Sequence, residues 1–187
     1  MDAKKFFKYN LITATKIISK IRTSDFGRST PCSDWNVKQL AAHLLYELSW
    51  VSDIVTGKTI DEVGDKYDGN LIGINLFNSW NNAASKALSS VENADLKSIA
   101  HLSFADVTND YYIWQFGGEL LIHAWDLSVG VDKPIKFNVE VANTFYRRIR
   151  PRSEELQNSG LFAPPLPTKA SDPTQVKLLA IFGRSGV

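Results

Sequence analysis

The chain has 187 residues and a formal net charge of +1, with 44% hydrophobic and 22% charged residues. This length is sufficient for one substantial hydrophobic core, and the composition excludes a largely disordered protein. The near-neutral charge gives no electrostatic basis for a nucleic-acid or membrane partner, so we expect neither.

Neither the N-terminal sequence nor the apolar runs indicate a membrane or secretory address. The first ten residues, "MDAKKFFKYN", are not followed by the apolar region of a signal peptide. No apolar run approaches the roughly 20 residues that span a bilayer. Cys32 is the single cysteine, which excludes an internal disulfide and suits a reducing compartment. We therefore expect a soluble, cytoplasmic protein, with Cys32 as a small, partly buried hydrophobic residue rather than a nucleophile.

Four segments have the apolar periodicity of helices. In three of them apolar residues alternate at steps of three and four, which is typical of helices packed nearly parallel or antiparallel. The fourth is apolar on nearly every side and should be buried around most of its circumference. The predicted segments are Ala3 to Arg22, a segment capped by Asn36 with Gln39 and closed by Gly57, Ile72 to Val91, and Asn109 to Val129. These features predict an all-α fold, a four-helix bundle.

The remaining segments are short. "LKSIAHLSFADVT", between the third and fourth helices, alternates enough to predict an extended segment or a short strand. A short helix should run from Asn138 to Ile149, before Pro151. After a turn at "LFAPPLP", a last helix should begin with Asp172 as its cap and Pro173 in its first turn, and end before Gly183. We predict a single domain over 1–187, with a C-terminal tail over 151–187.

The fourth helix carries ionisable residues in an otherwise apolar sequence, "GELLIHAWDL" (Gly118 to Leu127). Glu119 and His123 lie one turn apart, and Asp126 stays on the same side of the helix. An unpaired buried carboxylate costs several kcal/mol, so this face must meet a compensating charge or a wet cavity. One explanation is an ion pair between Glu119 and His123, with Asp126 bound to Arg147 or Arg148. The other is a metal site with Asp126 orienting an imidazole.

A second helix supplies a third candidate ligand. His43 in "QLAAHLLYELSW" lies at the flank of the apolar face of its helix. His43, Glu119 and His123 would form a three-ligand site with one position left for water or substrate, which is typical of catalytic zinc. Glu47, one turn from His43, is a reserve ligand. We interpret His101 as incidental, and we expect Gly117 and Gly118 to let another element approach closely.

The pattern resembles the DinB/YfiT-like metal-binding bundles. The segments that carry the likeness are "TPCSDWNVKQLAAHLL" (Thr30 to Leu45), "GELLIHAWDL", "LFAPPLP" and "DPTQVKLLAIFGR". Within that superfamily, the chain is most similar to the N-terminal domain of mycothiol-dependent maleylpyruvate isomerase and its single-domain relatives of undefined activity. The isomerase has an additional C-terminal domain, whereas here only the tail from Pro151 to Val187 follows the bundle.

The resemblance implies a divalent ion, usually zinc or nickel, held by His43, Glu119 and His123. It also implies that this ion activates a low-molecular-weight thiol or water, which suggests a metal-dependent thiol S-transferase or isomerase-like enzyme. We expect the open metal position to face a cleft lined by Trp50, Tyr112 and Phe116. The expected partner is a small-molecule substrate or thiol.

Two alternatives remain from the sequence. The first is a non-catalytic metal- or ligand-binding bundle with a stress-related or scaffold role, in which Glu47 or Asp126 closes the coordination shell. The second is a homodimer in which the polar face forms a seam of ion pairs, with salt-sensitive association and no metal.

Overall fold

The computed structural model describes residues 1–158, 160 and 163–186. They group into two compact units, Asp2–Lys133 and Met1 with Pro134–Val187. The single domain predicted over 1–187 stays a prediction. Part of the predicted turn "LFAPPLP", residues 161–162, lies outside the described residues.

The first unit is a four-helix bundle, so the all-α prediction is confirmed. Helix α1 packs against α4 and α5, and α2 packs against the same two helices. The order around the bundle is therefore α1, α5, α2, α4. The elements of this unit are α1 (Ala3–Ile18), α2 (Val37–Val55), α3 (Ile60–Val63), α4 (Leu76–Asn93), β1 (Ile99–His101), β2 (Asp106–Thr108) and α5 (Asn109–Gly130).

Hydrogen bonds of the capping side chains explain where α2 and α5 begin. The side chain of Asn36 accepts a hydrogen bond from Gln39 N, and the Gln39 side chain accepts one from Asn36 N, as predicted. Helix α5 begins after Thr108, whose hydroxyl accepts a hydrogen bond from Tyr111 N. As predicted, α5 is buried around most of its circumference.

Two predicted helix boundaries are wrong. Helix α1 ends at Ile18 rather than Arg22, because the chain tightens into turns there and then into a 3-10 turn at Thr23–Asp25. Helix α4 begins at Leu76 rather than Ile72, with Asn75 as its cap.

The interior of the bundle is closely packed where α1 meets α5. A Cβ added to Gly117 would lie 2.8 Å from Phe6 Cδ1 and 3.3 Å from Phe7 Cα, so the close approach predicted at this glycine is confirmed. The Asn10 side chain, fully buried, donates to Gly117 O at 2.9 Å. At the start of α5, the buried side chain of Asn109 donates hydrogen bonds to Val55 O and Asp95 O. These bonds join the start of α5 to the end of α2.

The connections between the helices carry additional structure. The predicted extended segment forms an antiparallel hairpin in which Ile99 pairs with Thr108 and His101 with Asp106. The connection after α2 is held by Asp53, a buried carboxylate that accepts hydrogen bonds from Lys58 Nζ, Lys66 Nζ and Tyr67 Oη. These contacts lower the pKa of Asp53 although burial alone would raise it.

The second unit contains α6 (Val139–Ile149), α7 (Ser153–Asn158) and α8 (Thr174–Ile181). Helix α6 lies where a helix from Asn138 to Ile149 was predicted, and Asn138 caps it. Helix α8 instead starts after Pro173, because the Asp172 side chain accepts from Lys169 N in the preceding turn; the prediction of Asp172 as its cap is wrong. Among the described helices of the whole chain, none is long and apolar enough to span a bilayer.

Candidate metal centre

His43, Glu119 and His123 come together between α2 and α5. His43 Nε2 donates to Glu119 Oε1 at 2.7 Å, across 76 residues of sequence. One ligand atom from each of the three side chains lies within 4.8 Å of the others. The side chains are 24%, 25% and 12% exposed for His43, Glu119 and His123. The structure therefore forms a compact, partly accessible set from the three residues predicted as ligands.

The ion pair expected along α5 takes a different form. Glu119 pairs across the bundle with His43, and His123 Nδ1 donates to Asp126 Oδ2 at 3.0 Å. Asp126 is fully buried. A carboxylate on one ring nitrogen fixes the tautomer of a histidine and directs its other nitrogen to a ligand. Asp126 therefore lies where it can orient the imidazole of His123, as predicted for a supporting residue. Nε2 of His123 is then the nitrogen that can bind an ion.

The carboxylates around His43 change the proton affinities at this site. Burial lowers the pKa of His43, but the hydrogen bond that His43 donates to Glu119 and the charges of Glu119 and Glu47 outweigh it, so the net pKa is raised. Burial, followed by the charge of Glu119, raises the pKa of Glu47 to about 7, against the opposing effect of His43. Burial with the charges of Glu47 and Glu119 raises the pKa of Tyr112. The site is thus rich in negative charge, which suits a cation.

Trp35, which the sequence did not single out, packs on the site. Its indole stacks on the His43 ring with centroids 4.4 Å apart, and lies 6.1 Å from the ring of His123. The residue precedes the cap Asn36, and a bridge between Ser29 and Asn36 closes the loop that carries it. A tryptophan next to a helix cap is a weak signal, because it does not indicate which side of the helix the ring covers.

Cys32 lies in the same loop and was interpreted as an ordinary small hydrophobic residue. Its Sγ and one ligand atom each from His123 and Asp126 lie within 4.8 Å of one another. Cys32 is half-buried. No sequence pattern indicates this contact, since no histidine is near Cys32 along the chain.

The remaining residues considered for the site are the predicted cleft residues, the reserve ligand Glu47 and His101. The side chains proposed to line the cleft are all buried: Trp50 is 8% exposed, Tyr112 7% and Phe116 2%. A cleft lined by them stays a prediction. Glu47 belongs to neither of the ligand groups found among the described residues. His101 bonds to Asp106 within the hairpin, at 2.7 Å.

The chemistry and spacing of the donor set fit a divalent ion. Two imidazoles and a carboxylate are common zinc ligands, and ligand atoms around tetrahedral zinc lie roughly 3.3 Å apart, given bonds of about 2.0–2.2 Å. The His43–Glu119 pair is closer, at 2.7 Å, because a proton lies between the two atoms, and the whole set lies within 4.8 Å. The three residues are therefore close enough to bind one ion between them.

Comparisons with known proteins identify the family. The family model described as mycothiol maleylpyruvate isomerase N-terminal domain matches residues 14–128, which is more than half of the chain and includes all three candidate ligands. A search of curated proteins and a search of solved structures each found no match. The family is DinB-like and typically metal-binding. The chain belongs to the mycothiol maleylpyruvate isomerase N-terminal domain family.

Proposed function

We propose that the protein binds one divalent ion, zinc or nickel, through His43, Glu119 and His123, and acts as a metal-dependent thiol S-transferase or isomerase-like enzyme. The observation that carries this proposal is the convergence of the three ligand atoms within 4.8 Å on two bundle helices. The partial exposure of all three side chains supports access for a small molecule.

The proposed chemistry is activation of a low-molecular-weight thiol or of water. A bound divalent ion lowers the pKa of such a ligand and makes it a nucleophile at neutral pH. Three protein ligands leave a coordination position for that molecule. Asp126 holds the orientation of His123 through Nδ1.

Glu47 is a candidate proton acceptor in this scheme. Its pKa is about 7 in the metal-free protein, and a divalent ion bound nearby would lower it and keep the carboxylate ionised, as a proton acceptor requires. Its carboxylate interacts with both Glu119 and His43. We propose that Glu47 accepts the proton that the thiol or water releases. The identity of the thiol, the cytoplasmic location and the homodimer alternative stay predictions.

Metal binding can be tested with the chain's own histidines as matched variants. Metal-free wild type, His43→Ala, Glu119→Gln, His123→Ala and His101→Ala would each be titrated with zinc and with nickel by calorimetry, and bound metal counted by elemental analysis. We expect at least one ion per chain in the wild type and in His101→Ala, whose ring lies in the hairpin. The three ligand variants should lose at least about tenfold in affinity. A wild type that binds neither ion would refute the proposal.

Catalysis needs a separate experiment. The metal-loaded protein would be incubated with thiols such as glutathione, cysteine and mycothiol and with a panel of electrophiles and cis-alkene acids, and thiol consumption and isomerisation followed. We expect turnover that requires the ion and falls in the Glu47→Gln variant.

A non-catalytic metal-binding bundle is the second candidate. The observation that favours it is the ligand group of Cys32, His123 and Asp126, because cysteine ligands are common in structural zinc sites. Retained metal without turnover of any substrate in the panel would support this alternative.

A further inference from the structure

The loop before α2 holds Cys32 in a defined place. Thr30 Oγ1 donates to Trp35 O at 2.8 Å and accepts from Cys32 N at 3.2 Å, and Trp35 N donates to Cys32 O at 3.0 Å. The close packing of α5 under this loop adds to its rigidity, because a Cβ on Gly130 would lie 3.2 Å from Ser29 O. The loop therefore presents Cys32 to α5 in a rigid turn rather than on a mobile segment.

The thiol of Cys32 does not stand alone at this position. An imidazole nitrogen of His123 and a carboxylate oxygen of Asp126 lie within 4.8 Å of Sγ and of each other. Asp126 is fully buried, and its carboxylate reaches Nδ1 of His123. A thiolate, an imidazole and a carboxylate are together a ligand set for a borderline-soft divalent ion.

This set overlaps the proposed metal centre through His123. The first set comprises His43, Glu119 and His123, whereas the second comprises Cys32, His123 and Asp126. The Nδ1 atom of His123 faces Asp126, and its Nε2 atom is the one left for the first set. The two sets share the imidazole of His123; the first has oxygen and nitrogen ligands only, and the second also contains sulfur.

We infer that Cys32, His123 and Asp126 form a second, thiolate-containing position for a thiophilic divalent ion. The inference rests on the proposed metal centre and adds a second position beside it. The sulfur ligand of this position determines which metals it prefers. Thiolate ligands favour zinc and cobalt over magnesium and manganese. When the ion binds, Cys32 releases its thiol proton to solvent and the S–metal bond forms without any change in oxidation state. When Nδ1 of His123 is the ligand atom, the ion replaces its hydrogen bond to Asp126, and the Nδ1 proton is released to solvent as well.

X-ray absorption at the zinc edge tests this directly. Metal-free wild type would receive two equivalents of zinc, enough for both positions, in a buffer with a phosphine reductant, so that no added thiol contributes sulfur. Cys32 is the only cysteine and Met1 the only methionine, so a thiolate signal must come from Cys32. We expect a sulfur neighbour at about 2.3 Å. A spectrum with only nitrogen and oxygen neighbours overturns the inference, and this measurement needs no variant that might fail to fold.

Cobalt titrations separate the two positions. The wild type and His43→Ala should both show sulfur-to-cobalt charge-transfer absorption, and Cys32→Ser should not, with His101→Ala as the matched control. Cys32→Ser should also weaken binding of the second equivalent of zinc at least about tenfold while its circular dichroism and melting temperature stay those of the wild type. Loss of the charge-transfer absorption in His43→Ala would overturn the independent second position.

The two proposals fail in different ways. Zinc with nitrogen and oxygen neighbours only, lost in His43→Ala, leaves the first centre standing and overturns the thiolate position. Zinc bound through sulfur, with full affinity in His43→Ala and Glu119→Gln, supports the thiolate position and refutes the first centre.

Discussion

The indole of Trp35 stacks on the imidazole of His43, with ring centroids 4.4 Å apart and planes inclined by 29°. The contact links the loop before α2 to the hydrogen bond between His43 and Glu119. A stacked ring restricts rotation of the imidazole and so holds its Nε2 toward α5. Trp35 is therefore a positioning residue for the proposed centre.

Replacing the indole should weaken metal binding without removing a ligand. We expect Trp35→Ala to lower zinc affinity by about tenfold, the scale of other supporting contacts around metal sites. Trp35→Phe, which keeps an aromatic face, should retain most of the affinity. Calorimetric titration of the two variants beside the wild type measures this. Equal affinities in Trp35→Ala and the wild type would show that the stacking has no positioning role.

Asp126 should affect zinc affinity through its hydrogen bond with His123 and not through its charge alone. Asp126→Asn keeps the shape of the side chain, but an amide accepts a weaker hydrogen bond from Nδ1. We expect zinc affinity to fall by about 10–100-fold. Asp106→Asn, which changes the partner of His101 in the hairpin, is the matched control and should leave affinity unchanged. Competition with a chromophoric chelator can measure both, and an unchanged Asp126→Asn would remove the supporting role.

Glu47 predicts a pH dependence of the metal-free protein. Its pKa rises from 4.5 to about 7 on folding, so the folded state binds the proton more tightly than the unfolded chain does. The stability from this proton is complete below about pH 4.5 and is lost as pH rises through about 7. Glu47→Gln removes this loss, because the amide does not ionise.

The measurement is urea unfolding in the presence of a chelator. At pH 8 we expect Glu47→Gln to exceed the wild type in free energy of unfolding by about 1–3 kcal/mol, with the difference shrinking toward pH 5. The charge of Glu47 contributes to the raised pKa of His43, so the difference between the two proteins reports the loss of the Glu47 charge together with its effect on His43. A difference that is constant across this range would contradict the raised pKa.

Gly117 should be intolerant of a methyl group. The added Cβ would lie 2.8 Å from Phe6 Cδ1 and 3.3 Å from the backbone of Phe7. Forcing a methyl group into a packed core costs about 1–3 kcal/mol, so Gly117→Ala should lower the free energy of unfolding by that amount. Gly27→Ala is the control, because nothing lies within 4 Å of its added Cβ. Equal urea midpoints for the two variants would show that α1 and α5 can separate at no cost.

The helices could be predicted where the signal was local. Asn36 and Gln39 cap α2 through bonds between residues three apart, and the apolar circumference of α5 reports its burial. The start of α4 could not be predicted from apolar Ile72, because that residue is buried outside the helix. Asp172 likewise looks like a helix cap but bonds within the preceding turn.

The residues of the site also divide into those that a sequence pattern indicates and those that it does not. Glu119 and His123 share a helix face, and the regular apolar periodicity of α2 indicates on which side of that helix His43 lies. Their convergence could therefore be predicted. Cys32 and Trp35 belong to an irregular loop whose conformation depends on hydrogen bonds to Thr30 and on the bridge from Ser29 to Asn36. No periodic pattern reports such contacts, so the two residues were missed.

The hydrogen bond between His43 and Glu119 joins positions 76 residues apart. Both helices must therefore have docked before the pair can form, and a chain in which only α1 and α2 have assembled has no part of the cation site beyond one imidazole. A cation bound there would cross-link a long loop and stabilise only the fully assembled bundle. Its binding would then be a direct measure of the population of completed bundles, and incomplete folding intermediates would be unable to compete for metal.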